Sequence, residues 1–162
     1  MRLPAVVTPG AGFATVFLDP TANTLQVNVT FGNLTSPTTA SHIHCCMPLG
    51  MNAIVATTTP TFPMFPLGMT AGGYVSPVFD LTQASSYNPD FITAHGGTPL
   101  TAEAVLIAGM LAGQSYINIH TMDHLTGEIR GSCPPLSPEL PGLIAACGVL
   151  LALARRRRKL VA

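Results

Sequence analysis

Two histidines and two adjacent cysteines stand in the stretch Ser41-His42-Ile43-His44-Cys45-Cys46. In an extended chain, successive side chains point to opposite faces, so His42 and His44 share one face and Ile43 lies on the other. Their Cα atoms would then lie roughly 6.5–7 Å apart, which allows two imidazoles to converge on one metal ion. The stretch therefore predicts a strand with one apolar face and one face suited to a metal.

A second stretch has the same alternation, Tyr116-Ile117-Asn118-Ile119-His120. Its isoleucines take one face, and its tyrosine, asparagine and histidine take the other. Two strands of this kind can bury their isoleucines in one core and bring three imidazoles together outside it. We expect a β-sandwich built around these two strands.

The rest of residues 1–133 is also rich in strand and turn signals. Residues 12–18 and 25–31 read as two strands joined across the turn formers of residues 19–23, which predicts a hairpin. Residues 57–73 form a long loop, and Pro77 puts the strand predicted over 74–81 at an edge or a bulge. Two short helices are predicted, one opened by Asn88 and one opened by Thr101.

Charge is distributed unevenly along the chain. The 162 residues have a formal net charge of zero, but five of the seven basic residues lie within 155–159. Without them, two arginines remain against seven acidic residues, so the rest of the chain carries a net charge of −5. An acidic body without a basic patch excludes nucleic acid as the expected partner.

The C-terminal composition predicts a separate membrane segment. Residues 134–141 form a Pro-rich linker, and residues 142–154 contain no charged side chain. As a helix, those 13 residues would span roughly 20 Å, which is short of the ~30 Å hydrocarbon core. The basic run that follows favours a transmembrane helix with its basic end inside. The predicted divisions are therefore a domain over 1–133, a linker over 134–141, and a membrane helix with a basic tail over 142–162.

Several motifs, in this order, resemble the CHRD domain, and the resemblance covers about residues 8–133. They are Thr38-Thr39-Ala40-Ser41-His42-Ile43-His44-Cys45-Cys46, Thr61-Phe62-Pro63, Ser85-Ser86-Tyr87-Asn88-Pro89, Tyr116-Ile117-Asn118-Ile119-His120-Thr121 and Gly127-Glu128-Ile129-Arg130-Gly131. The resemblance implies an antiparallel Greek-key β-sandwich with one or two short helices, exported and acting without catalysis as a binding or structural module. Bacterial members usually begin with a signal peptide and one further strand, so we expect the start of this sequence to be truncated.

The C-terminus resembles a PEP-CTERM sorting signal. Its short motif is Pro138-Glu139-Leu140-Pro141, a departure from Pro-Glu-Pro, and its basic cluster is Arg155, Arg156, Arg157 and Arg158. The resemblance implies processing by an exosortase-type membrane protease and delivery to the cell surface or extracellular matrix. Matrix polysaccharide or protein would then be the partner. The alternative is a plain membrane anchor.

A weaker resemblance is to copper/zinc superoxide dismutase, a β-sandwich enzyme. It rests on His42 and His44, on His120, and on Arg130 followed three residues later by Cys133. It implies a copper site at the three histidines and a disulfide from Cys133 to one of the two adjacent cysteines. No bridging histidine or run of zinc ligands is recognisable, and these departures count against dismutase activity. A copper-dependent redox enzyme is therefore the alternative function and not the first choice.

The proposed ligands His42, His44 and His120 suit copper(II) or zinc, and intrinsic affinity favours copper(II). Asp123 and His124 are candidate fourth ligands. The competing interpretation is that the three histidines only pin loops to the sheet by hydrogen bonds.

The cysteines leave more than one pairing open. Across a trans peptide, the Cα atoms of Cys45 and Cys46 lie about 3.8 Å apart, below the usual disulfide range. A bridge between Cys46 and Cys133 is the less strained choice, with Cys45 as the other candidate partner, and it implies an oxidising compartment. Glu128 and Arg130 share one strand face and are expected to form an ion pair.

Overall fold

The computed structural model of this chain describes residues 6–135 and, as backbone, residues 143–151. The strands in this part of the chain are β1 (Ala11–Asp19), β2 (Thr24–Gly32), β3 (Thr38–Cys45), β4 (Ile54–Val55), β5 (Gly72–Val75), β6 (Phe79–Asp80), β7 (Ser115–Thr121), β8 (Ile129–Cys133) and β9 (Leu143–Leu151). The helices are α1 (Pro89–Ala94) and α2 (Pro99–Leu111), preceded by a 3-10 turn at Ala84–Ser86.

The strands form two antiparallel sheets. The first has the order β5-β2-β1-β9, with β6 also paired to β2, and the second has the order β4-β3-β7-β8. The mainly β class with few helices is confirmed. The two sheets enclose a single apolar core, to which they contribute alternate residues of their strands: Ala14, Val16 and Leu18 from β1; Leu25, Val27, Val29 and Phe31 from β2; Ile43 from β3; Ile117 and Ile119 from β7.

The β1–β2 hairpin forms where the turn residues predicted it. The Asp19 carboxylate accepts hydrogen bonds of 2.9 Å from the backbone N–H groups of Thr21 and Ala22. Asn23 takes the left-handed conformation, at φ +56°, that a tight turn requires and that asparagine tolerates. Leu18 then faces Leu25 across the ladder, so both strands direct their aliphatic residues to the core.

The boundaries of two predicted elements, the second helix and the strand over 74–81, differ in the structure. The second helix begins at Pro99 rather than near Thr101, because the Thr98 hydroxyl accepts the Thr101 N–H at 3.2 Å and proline suits the first helical position. The strand predicted over 74–81 is divided into β5 and β6 around Pro77, which has no N–H to give to a ladder.

The predicted C-terminal helix is wrong for residues 143–151, which form β9 along the free edge of β1. An uncharged apolar run can be either a helix or a strand, and periodicity alone does not separate the two. Here the unpaired N–H and C=O groups of β1 supply partners for the strand. Within the described residues, no helix combines the length and hydropathy needed to cross a bilayer. The motif at 138–141 and the arginine cluster at 155–158 lie outside the described residues.

Helix α2 packs against the end of β3 through Gly109. A Cβ atom at this position would overlap the Sγ atoms of both Cys45 and Cys46. The glycine therefore allows a close approach that a larger residue would prevent, although alanine is ordinarily the better helix former by about 1 kcal/mol.

We expect Gly109→Ala to destabilise the protein by roughly 1–3 kcal/mol, since overpacking outweighs the gain in helix propensity. Urea denaturation without reductant measures the change. The control is Gly73→Ala, where the nearest atom to an added Cβ is 3.9 Å away, and this variant should be close to neutral. An equally stable Gly109→Ala protein would contradict the packing argument.

Candidate metal centre

The pairing of β3 with β7 brings the predicted histidines together. His42 lies opposite Asn118, His44 opposite Tyr116, and Ala40 opposite His120. All three imidazoles therefore stand on the outer face of this sheet, and one ring nitrogen from each lies within 4.8 Å of the others. The cluster predicted from the sequence is present.

Three loop segments, called here the covering loops, each bring a backbone carbonyl to the histidines on this face: residues 46–53, 58–63 and 122–127. Although His42 and His44 point away from the core, only 6% and 8% of their surfaces are exposed, while His120 is half-buried. Each imidazole donates one ring N–H to a backbone carbonyl of a different covering loop: His42 Nε2–H to Pro60 at 2.7 Å, His44 Nδ1–H to Ala53 at 2.9 Å, and His120 Nδ1–H to Leu125 at 2.8 Å.

These hydrogen bonds determine the tautomer of each neutral imidazole, because a carbonyl oxygen can only accept. The nitrogens left with free lone pairs are His42 Nδ1, His44 Nε2 and His120 Nε2. The first and last of these lie 3.4 Å apart, and His44 Nε2 is buried with no hydrogen-bond partner among the described residues. Two facing lone pairs and a third orphaned one suit a bound cation, and a carbonyl on the other nitrogen is a common arrangement for ligating histidines.

Burial keeps these imidazoles neutral. Desolvation lowers the pKa of His42 to about 4 and that of His44 to about 4, although their hydrogen bonds to Pro60 and Ala53 act in the opposite direction. Desolvation also lowers the pKa of His120, and the positive charge of Arg130 contributes. Neutral imidazole is the form that binds a metal ion, so near neutral pH few protons compete for the site.

Tyr116 and Arg130 pack beside His44 in contacts that the local sequence pattern did not predict. The Tyr116 ring stacks on the His44 ring with centroids 4.7 Å apart and planes 9° apart. Arg130 lies over the opposite side of that tyrosine, with its Cζ 3.9 Å from the ring centroid. The alternation of 116, 118 and 120 placed the tyrosine on the histidine face, but the ring stacking depends on how the strands pair.

The covering loop next to His120 is held by Asn118, whose amide donates to the Thr126 carbonyl at 3.1 Å. Gly127 has φ +110°, and a Cβ atom there would overlap the Asn118 amide. The glycine therefore lets the loop return close to the sheet, which brings the Leu125 carbonyl to His120. The candidate fourth ligands Asp123 and His124 are in this loop but do not belong to the cluster, which among the described residues consists of histidines alone.

The predicted Cys46–Cys133 bridge is wrong, because Cys45 and Cys46 are bonded to each other. The prediction assumed a trans peptide, whereas the peptide between these residues is cis and their Cα atoms lie 3.1 Å apart. Cys133 is also disulfide-bonded, but not to Cys46.

Glu128 and Arg130 do not pair as expected. The buried Glu128 carboxylate accepts from the hydroxyls of Thr8 and Thr121 and from the Thr35 N–H, while Arg130 binds Asn52. Glu128 precedes β8 and reaches the start of the chain instead of continuing along the strand face. Despite its burial, these hydrogen bonds hold the pKa of the Glu128 carboxyl below its usual range.

Comparison with known proteins gives one match. The family model for the CHRD domain matches residues 1–133 of the 162. Searches of curated proteins and of solved structures found no match.

We expect the metal-free protein to lose stability as pH falls from 7 toward 4. Unfolded histidine titrates near 6.5, and His42 and His44 titrate near 4 when folded, so between these values the unfolded chain binds more protons. At pH 5 each of the two should reduce the unfolding free energy by roughly 2 kcal/mol.

Urea denaturation in EDTA at pH 7.5 and pH 5 measures this loss. The His42→Asn/His44→Asn double variant, with both groups removed, should show a much smaller difference between the two pH values. An unchanged difference in the double variant would refute the assignment.

Proposed function

This chain belongs to the CHRD-domain family, and on that premise we propose that its β-sandwich is a non-enzymatic binding module that holds one copper(II) ion. The ligands are His42 Nδ1, His44 Nε2 and His120 Nε2. The observation that carries the proposal is the convergence of three lone pairs, one of them on a buried nitrogen without a partner. If the histidines served only to hold the loops by hydrogen bonds, their remaining ring nitrogens would not need to face one another.

The ligand set favours copper(II) over other divalent ions. Three imidazoles without a carboxylate or thiolate form a nitrogen-only set, which suits copper(II) and zinc, and copper(II) is the stronger binder in the divalent series. The hard oxygen ligands that magnesium and calcium require are not part of the cluster. The net charge of −5 on the chain outside residues 155–159 attracts a cation over longer range.

The alternative is a copper-dependent redox enzyme related to the dismutases. Three protein ligands leave a coordination position open for a small molecule, which is the observation in its favour. A superoxide assay on the copper-loaded protein separates the two functions. Turnover above that of free copper(II), lost in His44→Ala, would favour the enzyme.

We also propose that the protein acts outside the cytoplasm, at the cell surface or in the extracellular matrix. The Cys45–Cys46 disulfide supports an oxidising compartment. Matrix polysaccharide or protein is the proposed partner. Removal of the C-terminal segment by an exosortase-type protease stays a prediction, and intact-mass measurement on protein from the native host tests it.

We expect the oxidised full chain to bind one equivalent of copper(II) near pH 7.5, as measured by titration calorimetry. His44→Ala and His120→Ala each remove one of only three ligands and should abolish stoichiometric uptake while circular dichroism shows the fold retained. Zinc should compete weakly.

His95→Ala serves as the matched control, because His95 caps α1 and is not part of the cluster. It should bind copper(II) as the wild type does. No stoichiometric uptake by the wild type, or undiminished uptake by both ligand variants, would overturn the metal site.

A further inference from the structure

We propose that Tyr116 and Arg130 are positioning residues of the metal centre, which orient His44 as its most rigid ligand. This inference rests on the proposed function, since it concerns how the same site is held. Neither residue belongs to the cluster of possible metal ligands. Both act through the orientation of His44 and through the loop that accepts its hydrogen bond.

His44 lies at one end of a stack of side chains. His44, Tyr116 and Arg130 form three layers, with 4.7 Å between the two ring centroids and 3.9 Å from the guanidinium carbon to the tyrosine centroid. Because the two planes are only 9° apart, rotation of the His44 ring about its Cβ–Cγ bond would break the stacking contact with Tyr116. The direction of the Nε2 lone pair is thereby fixed.

The carbonyl that accepts the His44 N–H is also held by Tyr116. The Tyr116 hydroxyl accepts the Ala53 N–H at 3.1 Å and donates to the Ala53 carbonyl at 3.3 Å. That carbonyl also accepts the His44 Nδ1–H. Tyr116 therefore holds both the ring and the oxygen that determines the tautomer of the ring.

Arg130 extends this hydrogen-bond network along the same loop. Arg130 donates to the Asn52 side-chain oxygen at 2.9 Å and to the Met51 carbonyl at 3.5 Å. Residues 51–53 are thus held by side chains from β7 and β8, two strands that pair with each other. The loop cannot shift without disturbing the stack.

Such support is specific to His44 within the described residues. Among the described residues, the ring contacts of His42 are tilted or edge-on, with Phe62 at 6.5 Å and 45°, and those of His120 are with the other two histidines. A ligand already ordered before binding has less entropy to lose. His44 should therefore contribute more to copper(II) affinity than either of the other two histidines.

The test uses copper(II) as the probe and two conservative variants of the full chain. Tyr116→Phe keeps the ring stack but removes both contacts to Ala53. Arg130→Lys keeps the positive charge near the metal but loses the planar guanidinium. Each should weaken copper(II) binding by about 10-fold or more, the range found when outer-shell partners of metal ligands are removed, and should change the copper hyperfine coupling in electron paramagnetic resonance.

Tyr87→Phe is the control. Tyr87 is also buried and its hydroxyl donates to the Leu81 carbonyl at 2.8 Å, but neither residue lies in the stack or in a covering loop. It should leave both the affinity and the spectrum unchanged. Circular dichroism shows whether each variant is folded, and a merely structural defect would not alter the spectrum of the copper that still binds.

Three outcomes overturn the inference. Wild-type affinity and spectrum in both variants would reject the positioning role while leaving the copper site in place. An equal loss in Tyr87→Phe would show a general effect of the hydroxyl deletion. Failure of the wild type to bind copper(II) would reject the site and its positioning residues together.

Discussion

The antiparallel pairing of β3 with β7 is the constraint on which the rest of the structure depends. In this register Ile43 faces the core with Ile117 and Ile119, and His42, His44 and His120 share the outer face. Side chains alternate with a period of two, so a slip by one residue would bring imidazoles into the core and isoleucines onto the outer face. Burial of the isoleucines makes that register strongly preferred, so the apolar side of the sheet determines the geometry of its polar side.

The outer face shows how the histidines combine two tasks. One nitrogen of each ring ties a covering loop to the sheet through a carbonyl, at Pro60, Ala53 or Leu125, and the other nitrogen is turned toward the cluster. The interpretation of these residues as loop pins and their interpretation as metal ligands are therefore not exclusive. The loops remove water from the rings, which lowers their pKa values and leaves them neutral, and neutrality is what a metal ion requires.

The largest differences from the sequence-based expectations arise where partners come from distant segments. Glu128 was expected to pair with Arg130 on one strand face, but it reaches Thr8, Thr35 and Thr121 instead. Local spacing describes which groups can share a face, whereas hydrogen bonds go to whichever donors the fold brings near. The cysteines differ for another reason, because their predicted pairing assumed the ordinary trans geometry at residues 45–46.

The sequence by itself determined whatever depends on near neighbours in the chain. The alternation at 25–31, 42–44 and 116–120 specified the strands, their apolar faces and the set of three histidines, because side-chain direction in a strand follows from backbone geometry alone. Only the tertiary structure decided the tautomer of each imidazole, the stack of Tyr116 and Arg130 behind His44, and the strand conformation of residues 143–151. Each of these depends on a carbonyl, a ring or a free strand edge from a distant part of the chain, and no local pattern encodes such a contact.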